Sequence, residues 1–123
     1  SGVPSLSSIK IGKQMAKAGF EWDSALDVLA QIKEEVNELE EALTKNQENE
    51  VAEELGDVYF SLHQLARKVQ LVPDEVSKSA NLKFVKRINR ILTHHEMTLS
   101  EFADKSKEDK ELLWEESKSL EKI

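Results

Sequence analysis

Six acidic residues in the middle of the chain stand at spacings that could hold a metal ion. Glu34, Glu35 and Glu38 read E-E-x-x-E, and Glu53 precedes a second group, Glu54-x-x-Asp57. Residues three or four apart share a helix face, so each group can present a carboxylate pair. Carried by two helices joined through a short polar turn, the pairs would converge. Four converging carboxylates repel one another unless a cation sits among them, and all-oxygen donors suit Mg2+, Mn2+ or Ca2+. Against this stands the commoner fate of acidic helix faces, which is solvation. The chain holds other adjacent acids, Glu40-Glu41 and Glu115-Glu116, so an E-E pair alone is a weak signal.

A second constellation lies downstream. Lys83 and Arg87 are one helical turn apart and could grip phosphate, the arginine with a bidentate fork. An exposed basic face or ion pairs with nearby glutamates is the ordinary alternative. Trp22 and Trp114 serve more often as core or interface anchors than as stacking platforms. His63, His94 and His95 form no H-x-x-H or E-x-x-H pair, which disfavours a di-iron carboxylate bundle. Neither a Ser/His/Asp set nor a glycine-rich phosphate loop is present.

The elements that must position these residues are helices. Leu6, Ile9 and Ala16 fit a first helix opening near Pro4 and stopped by Gly19. Asp23 or Ser24 can cap a second, which runs to about Thr44 on the stripe Ala25, Leu29, Ile32, Val36, Leu39 and Leu43. At roughly 100° per residue, Glu35 and Glu38 flank that stripe. Residues 45–49 read as a turn. A third helix, about 50–70, carries Val51, Leu55, Val58, Leu62, Leu65 and Val69, with Glu54 and Asp57 again on a flank. Phe60 falls opposite, so this helix packs on two sides, within a thick bundle or at a subunit interface. Gly56 beside the acids predicts close packing or a ligand, because glycine inside a helix costs about 1 kcal/mol.

Pro73 opens a fourth helix with Val76, Ala80, Phe84, Ile88 and Ile91 as its buried stripe. Thr98 to Glu101 is a capping-box pattern, and Ser106 can cap a last helix holding Leu112, Leu113, Trp114 and Leu120. The expected architecture is all-α, one domain over 1–123. It comprises a bundle of four main helices with a short C-terminal helical appendage.

Composition narrows the partners. A net charge of −7 argues against broad attraction to nucleic-acid polymers or anionic membranes. There is no cysteine for disulfides or thiolate metal sites, and no apolar run approaches a membrane span. A cytoplasmic location is the expectation. The chain opens Ser1-Gly2, without an initiating methionine.

Several of these signals fall in one order, and in that order the chain resembles the MazG family of all-alpha nucleoside triphosphate pyrophosphohydrolases. The matching text is GFEWDSALDVLAQIKEEVNELEEAL, then EELGDVYFSLHQLARKV, then ANLKFVKRINRI. It contains the family's E-E-x-x-E and E-x-x-D, and Asn81, Lys83, Phe84 and Arg87 complete its N-x-K-F-x-x-R. LLWEESK looks like the tryptophan-bearing terminal helix of longer members. The resemblance extends to the opening GVPSL and is closest to the second domain of two-domain MazG proteins. The turn between the two acidic helices is shorter than the family pattern.

The resemblance implies Mg2+-dependent hydrolysis of nucleoside triphosphates to monophosphate and pyrophosphate, with Mn2+ as a substitute, in clearing the nucleotide pool. It implies that Glu35, Glu38, Glu54 and Asp57 hold the metal. Glu34 or Glu53 would stand by as base candidates, Glu34 grouped with Glu35 and Glu38 as catalytic. Asn81, Lys83 and Arg87 would bind the phosphates and Trp114 the nucleotide. A homodimer or dimer of dimers goes with it. The alternatives are a narrower dUTP or dCTP pyrophosphatase of the same fold, and a non-catalytic helical interaction module.

Overall fold

The structure is a computed structural model and describes residues 2–121. The described residues form six helices and no strand: α1 (Pro4–Lys17), α2 (Ala25–Thr44), α3 (Glu48–Lys68), α4 (Pro73–His94), α5 (Leu99–Ala103) and α6 (Lys107–Leu120). Their ends follow local chemistry. Pro4 occupies the first turn of α1, where its missing N–H costs nothing. Gly19 follows at φ 85°, a left-handed conformation that glycine adopts freely. Of the two candidate caps for α2, Ser24 is the one used, its side chain accepting from the Asp27 N–H at 3.2 Å. Thr98 and Glu101 close the anticipated capping box, and Ser106 caps α6 through the Asp109 N–H.

The turn between α2 and α3 is tighter than the sequence suggests. Asn46 takes φ 54°, a left-handed geometry that asparagine tolerates, so α3 starts at Glu48 rather than near 50.

Packing divides the chain into two compact units, one ending at Val76 and the other beginning at Ser77. In the first, α2 and α3 form an antiparallel hairpin and α1 lies on α3. The body of α4 groups with α5 and α6 in the second unit.

The buried seam of the hairpin is also rotated from the expected stripes. On α2 the covered column is Val28, Ile32, Glu35, Leu39 and Ala42, while Leu29, Val36 and Leu43 are exposed. On α3 it is Val51, Glu54, Val58, Ser61, Leu65 and Lys68, while Leu55, Leu62 and Val69 are exposed. Each column alternates steps of three and four, the spacing of a coiled-coil seam. Each helix therefore has two adjacent apolar columns, and the hairpin covers only one. Glu35 and Glu54 sit in the covered columns themselves rather than on their flanks.

Glycine roles are likewise exchanged. A Cβ at Gly56 would meet nothing within 4 Å, so no close packing is served there. Gly12 is the close-packing glycine: a Cβ would overlap the Gln64 side-chain amide and lie 2.6 Å from Arg67 Nε.

In the second unit Ile91 is buried and Ile88, Leu92, Phe102, Leu113 and Leu120 are partly covered. Val76, Ala80 and Phe84, expected in the buried stripe of α4, are exposed. Among the described residues no helix is long and apolar enough to cross a membrane.

Candidate metal centre and adjoining cavity

Glu35 on α2 and Glu54 on α3 face each other because both lie in the hairpin seam. Together with Glu38, one turn after Glu35, they bring carboxylate oxygens within 4.8 Å of one another. Glu35 Oε2 and Glu54 Oε2 are shielded from solvent without a hydrogen-bond partner among the described residues. Shielded carboxylate oxygens left unpaired are costly. Glu54 shows the strain: desolvation, a hydrogen bond with Glu38, and the charges of Glu38, Asp57 and Glu35 raise it from 4.5 to about 7. A cation among these oxygens would remove each of those penalties, and three carboxylates are the donor set of a hard divalent ion. The residues fit such an ion.

The other acids behave differently. Asp57 is exposed and outside the trio, although its charge acts on Glu54. Glu34 and Glu53 are exposed and join no cluster of converging ligands among the described residues.

A cavity of about 420 Å³ opens within the same unit, lined by Phe20, Trp22 and Phe60 and by the polar groups of Glu21, Gln31, Gln64 and Arg67. Gln31 joins it to the carboxylates, its side-chain N–H donating to Glu35 Oε1 at 2.8 Å. The polar wall is fixed by a chain of bonds. Fully buried Gln64 donates to the Ser8 carbonyl at 2.7 Å and accepts from Arg67 Nε at 2.8 Å. Arg67 in turn forks onto both Glu21 oxygens at 2.7 Å. That fork holds Glu21 at about 2, well below its ordinary 4.5. Gln31, Phe60, Gln64 and Arg67 were not singled out as site residues from the sequence. The one local signal was the four-residue spacing from Gln31 to Glu35.

The expected phosphate-binding residues lie in the second unit. Asn81 and Lys83 are exposed, and Lys83 lines a shallow depression with Lys86 and Arg90. Arg87 donates through Nε to Glu121 Oε1, and its guanidinium lies 5.5 Å from the centroid of the Trp114 ring. Trp114 also tilts against Phe84, with centroids 4.6 Å apart. Arg87 and Trp114 thus have partners within their own unit.

Comparison with known proteins bears on this arrangement. Residues 23–92 match the model of the MazG nucleotide pyrophosphohydrolase domain, more than half of the chain. The chain belongs to the MazG family. The matched segment holds the Glu35, Glu38 and Glu54 cluster and also Lys83 and Arg87; α5 and α6 lie outside it.

Among MazG relatives, the nucleoside triphosphate pyrophosphohydrolase/pyrophosphatase MazG of Thermotoga maritima is 34% identical over 90 residues, covering 72% of this chain. The match spans 34% of that relative's length. An uncharacterized protein of Bacillus subtilis, YabN, is 35% identical over 75 residues, which is 61% of this chain and 15% of the relative.

Proposed function

We propose that this MazG domain hydrolyses nucleoside triphosphates to the monophosphate and pyrophosphate with Mg2+ as cofactor. The observation that supports the reading best is the carboxylate trio with two shielded, unpaired oxygens, found in a chain of this family.

Glu35, Glu38 and Glu54 would hold Mg2+, or Mn2+ in its place, with Asp57 as the fourth carboxylate. When bound, the ion supplies charge neutralisation between the carboxylates and the phosphate oxygens, without which the two would repel. The chain's own part is to hold these groups. The seam fixes Glu35 and Glu54, and Gln31 orients the Glu35 carboxylate. Glu34, beside Glu35, is the candidate to take the proton of the attacking water. Water adds across the linkage between the α and β phosphates: one of these two phosphorus atoms gains the hydroxyl oxygen, its bond to the bridging oxygen breaks, and that oxygen leaves on the pyrophosphate or on the monophosphate. Lys83 and Arg87 would stabilise charge on the phosphates, with Asn81 assisting, and Arg87 must first leave Glu121. Trp114 would pack on the nucleotide.

The aromatic cavity beside Glu35 has the size and the amide donors and acceptors to take a base. Clearing of unwanted nucleotides fits an enzyme of this kind, and a narrower dUTP or dCTP pyrophosphatase is the variant that a selective cavity would give. The exposed columns Leu29, Val36, Leu43 and Leu55, Leu62, Val69 support a homodimer or a dimer of dimers.

A second reading, a non-catalytic helical interaction module, draws support from the pairing of Arg87 with Glu121. A panel of purine and pyrimidine triphosphates with Mg2+, with the products identified, separates the readings. Monophosphate and pyrophosphate are expected. Orthophosphate release, or activity that survives Glu38→Gln, would sink the hydrolase assignment. The interaction module predicts no turnover and no thermal shift with Mg2+ and a nucleotide analogue.

A further inference from the structure

We propose that His94, His95 and Glu116 form a separate metal site for a borderline divalent ion, Zn2+ being the test case, that clamps the end of α4 to α6. All three residues lie in the second unit, and the proposal stands apart from the hydrolase reading.

His94 is the last residue of α4 and His95 the first of the turn that follows. In a continuing helix neighbouring side chains diverge by roughly 100°. Here the helix stops, Glu96 takes φ 49°, and the two rings turn toward one carboxylate. His94 Nε2 lies 3.4 Å from Glu116 Oε1 and His95 Nε2 lies 3.1 Å from Glu116 Oε2. The three ligand atoms fall within 4.8 Å of one another. The rings meet edge to face at 86°, with centroids 4.9 Å apart, so they are not stacked.

The metric suits zinc. Bonds of about 2.0–2.2 Å in a tetrahedron place ligand atoms roughly 3.3–3.5 Å apart; the two separations are of that size but run to different Glu116 oxygens, so the carboxylate must rotate to offer one oxygen to both nitrogens. Without an ion the His95–Glu116 contact at 3.1 Å is a hydrogen bond, and a bound metal would take the place of its proton. Donor type separates this site from the carboxylate trio. Two imidazoles with one carboxylate favour borderline transition ions, whereas three carboxylates favour hard ones. The residues are accessible, with His94 half exposed and His95 a third exposed, leaving room for water at the remaining positions. A bound ion would tether the helix that carries Trp114, two residues before Glu116.

The test is a Zn2+ titration of the ¹⁵N-labelled chain in excess Mg2+, observed through the three imidazoles by NMR. His94 and His95 should shift together and saturate at one Zn2+ per chain, with His63 unmoved. His95→Asn and Glu116→Gln should each weaken Zn2+ binding by at least roughly tenfold, the scale at which even outer-sphere partners act, and leave Mg2+ binding unchanged. Unmoved His94 and His95 signals at stoichiometric Zn2+ would overturn the proposal. So would Zn2+ affinity retained in the doubly substituted chain, leaving only a proton-bridged pair. The wild-type titration decides the matter even if a variant folds poorly.

Discussion

Gln31 donates to Glu35 Oε1 at 2.8 Å from one helical turn away, which makes it the link between the aromatic cavity and the carboxylate trio. It fixes one Glu35 oxygen while the other is shielded and unpaired. Removing the amide leaves Glu35 free to rotate out of the seam. Gln31→Leu should therefore lower Mg2+ affinity by roughly tenfold or more while keeping the helical circular dichroism signal. Calorimetric titration measures this, and an unchanged affinity would show that Gln31 does not orient the cluster.

Glu38 is exposed, yet its hydrogen bond and its charge help raise Glu54 to about 7. Without a cation the trio is a self-repelling group, and removing one charge relieves it. Glu38→Gln should therefore raise the melting temperature of the metal-free protein and abolish most of the further rise that Mg2+ gives the wild type. Activity should fall by more than roughly tenfold, since a direct ligand matters at least as much as an outer one. Melts with Mg2+ and with EDTA decide it. A variant less stable than wild type in EDTA would contradict the repulsion account.

Glu21 gives a prediction in acid. Its folded value, about 2, lies below its ordinary 4.5 because of the Arg67 fork. A depressed carboxylate stabilises the fold above its unfolded value and loses that contribution as pH falls through its folded one. Glu21→Gln should melt below wild type at neutral pH. The gap should close as pH drops from about 4.5 toward about 2. A gap independent of pH would mean that lost packing, not charge, is responsible.

What the sequence disclosed and what it hid have physical reasons. Helix ends were legible because Pro4, Gly19, Ser24, Thr98 and Ser106 act on their nearest backbone neighbours. The acidic pairs were legible because helical spacing alone puts Glu35 with Glu38 on one face. Which apolar column was buried was not. Val28 and Leu29 differ by one position, and periodicity centres between two adjacent columns without saying which one the hairpin takes. For the same reason Glu35 and Glu54 were placed beside the seam instead of in it. The cavity was hidden because it joins residues far apart in sequence, as in Gln64 reaching the Ser8 carbonyl. The pairing of Arg87 with Glu121 is likewise a contact across 34 positions.

Gly12 and Gly56 should respond in opposite directions. At Gly12 an added methyl would overlap the Gln64 amide, which is itself pinned by Ser8 and Arg67. Overpacking of this kind costs about 1–3 kcal/mol, so Gly12→Ala should be destabilising and should disturb the cavity wall. At Gly56 the space is open, and alanine in a helix should stabilise by up to about 1 kcal/mol. Urea denaturation of both variants checks this. A destabilised Gly56→Ala would mean that a partner or ligand approaches that surface.

The uncovered columns predict self-association. Leu43 and Leu62 stand on separate helices at 56% and 44% exposure, each one position round from a covered seam residue, Ala42 and Ser61. Burying a leucine fully contributes about 1.5–3 kcal/mol, and a charged residue there would have to be desolvated at the same interface. Light scattering of the wild type should give at least twice the chain mass of 14.0 kDa. Leu62→Lys and Leu43→Lys should move the population toward the single-chain mass without loss of helix content, because neither side chain lies in the hairpin seam. A wild type that runs at 14.0 kDa at working concentration would remove the homodimer, and the apolar columns would then need another occupant.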